Sequence, residues 1–472
     1  MSQTLSTDVL VVGAGPCGLV AGLTAARYGV NVRVIEQRSG GSSLSRALVI
    51  STRGMELMRR FGLEQAVQAG APDVSPTALV TPTLTSAEGA VMPLGYPSDE
   101  EASHVSPTRP AWAPQFHHEP LLLEKLRSEP TATVSFDTRL VALEHNDDRC
   151  LATVVDVGSG AESSVEARFV VAADGAHSAV RRAVGIAMEG PDDLMDYERV
   201  EFGAALDTAV GGRAHALYVL VHPDLGGAVL ARRGRGDLWG LSRERRVGQP
   251  GFEQLSAGDL VALVRTATGV PDLDIKVERL NRFSFAAQIA ERYREGAVFL
   301  VGDAAHRMTP RGGTGMNTGI QDAFDIGWKL GWVVRGWAGS ALLDSYEAER
   351  RPVGLHNVGR SADPGGARRP AEEALPWDLN GRLAHAWLDR HGERVSTIDL
   401  IGDALTLFAA GEDPAWPSAA ANTGWSAPVE IVVVDGAAAE ALNLGPAGAV
   451  LVRPDGHPVA RWVSPGVTGP SS

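Results

Sequence analysis

The 472-residue sequence predicts an α/β fold in which a parallel sheet is interrupted by antiparallel inserts. Three observations predict it: a glycine-rich strand–turn–helix unit at the N-terminus, two later strand–turn units at Asp174-Gly175 and Gly302-Asp303, and a run of short alternating strands between those two. In the first unit, D-V-L-V-V-G-A-G-P-C-G-L-V-A-G-L, Asp8 to Val12 reads as a buried parallel strand. A helix follows to about Tyr28 and stops at Gly29. Gly13 makes the tight turn, Gly15 admits a pyrophosphate, and Gly18 lets helix pack on strand. The next strand, Asn31 to Ile35, ends in Glu36, at the spacing where an acid holds ribose hydroxyls. Together these define a Rossmann-like dinucleotide site.

The later units extend the pattern. P-Q-F-H-H-E-P-L-L-L-E-K-L opens a helix, with Gln115 ahead of its first apolar positions, and Val134 to Leu143 reads as a strand. Arg168 to Ile186 reads as a strand, the Asp174-Gly175 turn and a helix carrying Arg181. The stretch Gly302 to Asn317, G-D-A-A-H-R-M-T-P-R-G-G-T-G-M-N, says which dinucleotide is bound. Asp303 offers a carboxylate suited to a polyol such as ribitol, and Gly312, Gly313 and Gly315 let backbone approach a flat ring. A helix opening at Met316-Asn317 aims free N–H groups and a positive dipole end at charge developing on a reduced flavin. His306 in the same stretch invites a catalytic reading.

With these segments in place, the chain resembles the class A flavoprotein monooxygenases of the para-hydroxybenzoate hydroxylase fold. It is most similar to the phenol and polyketide aromatic hydroxylases, over roughly residues 5 to 360 in order. S-R-A-L-V-I-S-T-R-G-M-E-L-M-R-R-F-G-L carries the resemblance too. It implies a GR2-type FAD-binding domain and FAD as cofactor, with NADPH or NADH as cosubstrate. Arg46 would reach the flavin and its pyrophosphate, Gln115 the ribityl–phosphate region, and Leu140 the adenine through its backbone. Asp174 would belong to a motif used for FAD and NADPH, Asp303 would hold the ribitol, and Gly315, Met316 and Asn317 would face the pyrimidine. Pro310 would approach the reacting oxygen through its carbonyl; its other reading is a loop proline that fixes φ. The implied reaction adds dioxygen at flavin C4a and transfers one oxygen atom to an electron-rich ring.

The same resemblance divides the chain. A discontinuous FAD-binding domain takes 1–75, 105–190 and 285–360, and a substrate domain takes 76–104 and 191–284. Within the latter, V-E-F-G-A-A-L, H-A-L-Y-V-L-V-H, G-A-V-L-A-R-R and D-L-W-G-L-S read as an antiparallel sheet, followed by a helix from Ser256 to Thr268. Alternation puts His215, Leu217, Val219 and Val221 on one face, and Ala216, Tyr218, Leu220 and His222 on the other; it does not say which face looks at the ring. Tyr218, His222, Arg232 and Trp239 are the polar or aromatic candidates for substrate contact. Residues 371–472 correspond to the family's thioredoxin-like C-terminal domain. P-V-E-I-V-V-V-D-G and A-V-L-V-R-P-D-G-H-P-V-A-R-W read there as paired strands with a Pro-Asp-Gly turn. That domain has no cysteine, so dithiol chemistry is excluded and its role is structural or interfacial, on the FAD domain or in a homodimer. It is read as separable from the chemistry.

Composition narrows the partners. A net charge of −14 argues against nucleic acid or an anionic membrane. The only cysteines, Cys17 and Cys150, lie far apart and suit a reducing, cytoplasmic setting. No metal-ligand spacing and no Ser/His/Asp pattern occurs, so the small-molecule aromatic substrate, dioxygen and the two cofactors are the expected partners. Ala47-Leu48-Val49 replaces the acidic residue that phenol hydroxylases carry after Ser-Arg-Ala, which favours a larger, apolar, polycyclic polyketide-type substrate. Two other readings share the motifs: a Baeyer–Villiger oxygenase or epoxidase, and a non-catalytic flavin-binding shield protein.

Overall fold

The computed structural model describes residues 4–42, 46–212, 214–246, 248–465 and 467–468. Its first sheet is centred on Thr4–Val12, which pairs in parallel with Val32–Ile35 on one side and Glu162–Ala172 on the other. Ala132–Ser135 and Val298–Leu300 extend the two flanks, again in parallel. Strands covered on both faces must be apolar throughout, and Val9, Leu10 and Val11 are essentially inaccessible. Each contributes about 1.5–3 kcal/mol by its burial.

The Val134 to Leu143 strand is in fact two. Asp137 takes φ +52°, a left-handed conformation that Asp tolerates. It separates Ala132–Ser135, in the parallel sheet, from Thr138–His145, which turns into an antiparallel meander with Cys150–Asp156.

Helix Pro16–Ala26 and the long helix Gly315–Arg335 pack closely beside this sheet. Gly319, Ala323, Gly327 and Gly331 recur every fourth residue and form a side-chain-free ridge. A Cβ at Gly327 would lie 2.6 Å from Thr24, and one at Gly331 2.5 Å from Tyr28.

The second sheet is seven-stranded, in the order Lys276–Phe285, Met195–Gly203, Leu238–Glu244, Ala228–Arg232, His215–Leu220, Ser75–Thr81, Ala90–Pro93. All its pairings are antiparallel except Ser75–Thr81 on His215–Leu220. One face packs on helix Ala257–Thr268, whose start is closed by a capping box of Ser256 and Asp259. The other face looks toward the first domain.

The C-terminal thioredoxin-like unit contains a five-stranded sheet. Val429–Val433 and Ala449–Val452 do not pair with each other: both flank Leu405–Ala409, a fully buried strand between them. The hairpin around Pro454-Asp455-Gly456 joins Ala449–Val452 to Pro458–Ser464. This unit is bolted to the flavin domain through buried ions. Glu56 sits between Arg53 (2.7 Å) and Arg382 (2.6 Å). Arg53 also donates to the Asp455 carbonyl at 2.6 Å. Lys329 bonds Asp325 and Glu349, and Arg453 bridges Glu349 and Asp455. These cations fill the only cluster of carboxylates spaced for a metal ion among the described residues, Asp325, Glu349 and Asp455.

The expected separability of residues 371–472 therefore meets a physical obstacle, because removing them takes Arg382 from buried Glu56 and Arg453 from Glu349, leaving those carboxylates without full compensation. Arg382→Ala is expected to lower unfolding free energy by about 3 kcal/mol, because breaking a buried pair leaves a charge unpaired. Denaturant unfolding checks this, and an unchanged midpoint would show that the ionic seam carries no stability.

Candidate active site

The three N-terminal glycines divide their work. Gly13 adopts φ +105°, and a Cβ there would lie 2.3 Å from the Ala173 carbonyl oxygen; one at Gly18 would lie 1.9 Å from that of Gly13. Both are demanded by packing. A Cβ at Gly15 would meet nothing within 4 Å, so the chain leaves open space over the turn. Helix Pro16–Ala26 starts there with no side-chain cap and no acid in its first turn, leaving unpaired N–H groups for an anion. Glu36 accepts from the Ala14 amide at 3.0 Å and from Arg38 through both oxygens. Burial raises its pKa, but the hydrogen bonds from Arg38 and the backbone outweigh it and leave the carboxyl below its usual range. Leu140 is buried on the neighbouring strand, whose first residue Thr138 donates to the Glu36 carbonyl at 2.8 Å.

Asp303 follows Gly302, which packs against Cys17 in the first turn of helix Pro16–Ala26. Its side chain is open, and no hydrogen bond or ion pair engages it among the described residues. The surrounding protein raises its pKa by desolvation, while the fields of His306, Arg46 and Arg307 oppose the rise. Arg46 is exposed, and its positive charge reaches Asp303; Ser45 beside it lies outside the described residues. His306 is buried, 2.7 Å from Asp322, which also binds Arg350, and so is part of the packing. Asp174 accepts from the Ala179 and Val180 amides through one oxygen, closing a helix start, while its other oxygen is buried without a partner.

The Pro310–Asn317 loop is held from several sides. The Pro310 carbonyl accepts from the Gly313 amide at 3.0 Å, and Gly312 and Gly313 take φ +79° and +62°. Tyr96 shares its hydroxyl between the Gly312 and Gly313 carbonyls. Asn317 spends its side chain on structure: it donates to the Val49 and Gly313 carbonyls and accepts from the Ser51 amide. Only its backbone, with those of Gly315 and Met316, remains to face a ligand at this uncapped helix start. Gln115 donates to Glu119, which accepts from the Ser42 amide at 2.7 Å, so the pair ties down the chain leading to Arg46. Arg38, Tyr96 and Glu119 were not marked by any motif; each is recognisable only from its partner.

The substrate-sheet candidates lie away from the face that looks onto the first domain. Tyr218, Arg232 and Trp239 lie on the face packed against helix Ala257–Thr268, Arg232 stacking on Trp239. His222 lies beyond the strand, where it accepts from the Asp224 amide. The opposite face looks onto the flavin-domain loop. There Leu217, Val219 and Ala78 cluster with Val49, Trp112 and Tyr96, and Met195 meets Arg311 at 3.2 Å. Arg199, Glu201 and Ser242 share this face by register.

An open glycine turn, two uncapped helix starts and a free carboxylate fit FAD. The class so defined is a flavin-binding α/β oxidoreductase with a substrate sheet. Residues 6–361 match a family described as FAD binding domain, and residues 379–470 one described as aromatic-ring hydroxylase, C-terminal. The tetracenomycin A2 monooxygenase-dioxygenase of Streptomyces glaucescens is 34% identical over 96% of this chain and 93% of its own. The aklavinone 12-hydroxylase of Streptomyces peucetius is 34% identical over 87% and 92%. Aklavinone-11 hydroxylase, solved as a ternary complex with FAD and aklavinone, superposes with a TM-score of 0.85 at 30% identity, covering 97% of this chain and 96% of that one. The chain belongs to the FAD-dependent aromatic-ring hydroxylases, a family of flavoprotein monooxygenases.

Asp303→Ala is expected to weaken FAD binding roughly ten- to a hundredfold, the worth of about 1.5–3 kcal/mol for a hydrogen bond to a charged group. Glu36→Ala should lose less, because Arg38 competes for that carboxylate. Fluorescence titration of the apoprotein with FAD measures both, and unchanged affinity in both variants would place the cofactor elsewhere.

Proposed function

We propose that this enzyme hydroxylates a polycyclic aromatic substrate of polyketide type, drawing electrons from NADPH or NADH. The observation that carries the reading is the apolar wall of Leu217, Val219, Ala78 and Trp112 facing the Pro310–Asn317 loop. Such a wall excludes water and seats a flat multi-ring molecule. The relatives named for tetracenomycin and aklavinone chemistry support the same substrate class. Bound FAD supplies the redox chemistry: two electrons from the nicotinamide and one dioxygen yield one oxygen atom for the ring and one water.

The chain's own residues bind and orient. Asp303 holds the ribitol, Glu36 the adenosine ribose, and the amides of Gly15 and the following helix turn the pyrophosphate. Leu140 meets the adenine, Gln115 positions the phosphate-facing loop through Glu119, and Asp174 shapes the adjoining turn. The amides of Gly315, Met316 and Asn317 oppose negative charge on the pyrimidine ring. Arg46, exposed beside Asp303, adds a mobile positive charge there, and the Pro310 carbonyl borders the reacting edge.

The proposal extends to a cytoplasmic homodimer. Both cysteines are free thiols, and the sheet edge strand Val429–Val433 leaves Ile431 and Val433 in solvent. No helix among the described residues is long and apolar enough to cross a membrane.

Purified protein should be yellow, release free FAD on denaturation, and oxidise NADPH faster when a polycyclic phenol is added. Mass spectrometry under labelled dioxygen should find one heavy oxygen in a ring hydroxyl. A ring-expanded lactone or an epoxide would replace this reading with ketone or alkene oxygenation. A flavin that no aromatic compound perturbs would leave only a binding role.

A further inference from the structure

Arg233 is 3% exposed, yet its Nε and Nη2 have no hydrogen-bond partner. It follows the strand Ala228–Arg232, and its stem runs across Gly240 on the loop-facing side of the substrate sheet. A Cβ at Gly240 would lie 3.2 Å from Arg233 Cδ and 3.4 Å from Arg199 Cδ. The glycine thus makes room for two guanidinium stems side by side. Arg199 donates through Nε to Ser242 at 2.9 Å and has Nη1 3.9 Å from Glu201 Oε1. Glu201 is 5% exposed, and that same oxygen accepts no hydrogen bond. The local balance is two guanidinium charges against one carboxylate. Glu201 lies opposite Gly240 in register, so it is the one anion the sheet itself directs at this pair.

A guanidinium stays protonated under any physiological condition, so burying two of its N–H groups without acceptors is costly unless a ligand completes the site. Nε and Nη2 are the two nitrogens of the side-on fork, spaced for the paired oxygens of a carboxylate. This end of the face is polar, whereas Leu217, Val219 and Trp112 make the other end apolar. Desolvation pushes Arg233 well below its ordinary range, with the field of Arg199 acting in the same direction and Glu201 opposing; an anion would reverse that.

We infer that Arg233, flanked by Arg199, is a specificity-determining subsite for a carboxylate on the aromatic substrate. The carboxylate would be held at one end of the pocket while the rings lie along the apolar wall. This rests on the reading of that sheet face as the substrate wall. It adds that the natural substrate is an aromatic acid, so the step before it in the reaction sequence leaves a free carboxylate, neither esterified nor lost as carbon dioxide.

The test uses the FAD-loaded full chain and three probes: anthraquinone-2-carboxylic acid, its methyl ester, and 1,8-dihydroxyanthraquinone, which offers peri oxygens but no carboxylate. Binding is read from the perturbation of the flavin absorbance. The acid should bind about ten- to a hundredfold more tightly than the ester. Arg233→Met should abolish that preference, and Arg233→Lys should restore only part of it, because an ammonium cannot present the fork. FAD content and thermal unfolding confirm that both variants fold, and Arg199→Met repeats the measurement if Arg233→Met does not. Equal binding of acid and ester, or an acid preference that survives Arg233→Met, overturns the inference. So does an Arg233-dependent preference for the dihydroxy compound over the acid. Failure of all three probes to perturb the flavin would count instead against the substrate-wall reading itself.

Discussion

The site depends on one backbone contact between segments remote in sequence. Gly302, at the end of a strand, and Gly319, in the long helix, approach so closely that a Cβ on Gly319 would lie 2.7 Å from the Gly302 Cα. Cys17, in the first turn of the N-terminal helix, fills the remaining gap with its sulfur, 2.6 Å from the same position. Three chain segments meet with almost no side chain between them. Asp303 is thereby set close to the Gly13–Gly18 turn, with the Pro310–Asn317 loop following it in the chain.

Charge is arranged locally against the global trend. The chain carries a net −14, but two helix starts are left uncapped, Arg46 acts on Asp303, and Arg199 and Arg233 stand together across Gly240 on the second sheet. Fixed donors of this kind act over a few ångströms in a low-dielectric recess, where the distant acidic surface is screened. Cys17 shows the opposite effect: half-buried and desolvated, with Asp303 and Asp322 nearby, its thiol is pushed far above its usual range and stays neutral in the packing.

Much of this was legible because the signals are backbone signals. A glycine that must take φ +105°, or a strand ending in Gly-Asp, writes its geometry directly into residue type. The substrate face was not legible, since alternation along His215–Leu220 identifies two faces and says nothing about what covers each. Tyr218 and Trp239 attract attention as aromatic residues, but helix Ala257–Thr268 claims them for its core, while the smaller Val219 and Ala78 cluster with Val49 and Tyr96 on the other face. Leu405–Ala409 went unread because five consecutive buried residues show no period at all. The ionic seam of Glu56, Arg382, Glu349 and Arg453 is invisible for a different reason: charged residues usually signal solvent, and only partners remote in sequence, 326 and 104 positions apart, reverse that reading.

That seam also has a bearing on how the chain is born. Arg53 finds its acceptor at the Asp455 carbonyl, 402 residues downstream. At about 5–20 residues per second a ribosome needs on the order of 20 to 80 s to make that stretch. For most of that time the helix Thr52–Arg60 has been synthesised while Arg382, the second cation on Glu56, and the Asp455 carbonyl that seats Arg53 do not yet exist. The flavin domain emerges as an incomplete shell, and its final closure waits for the last strands to leave the exit tunnel.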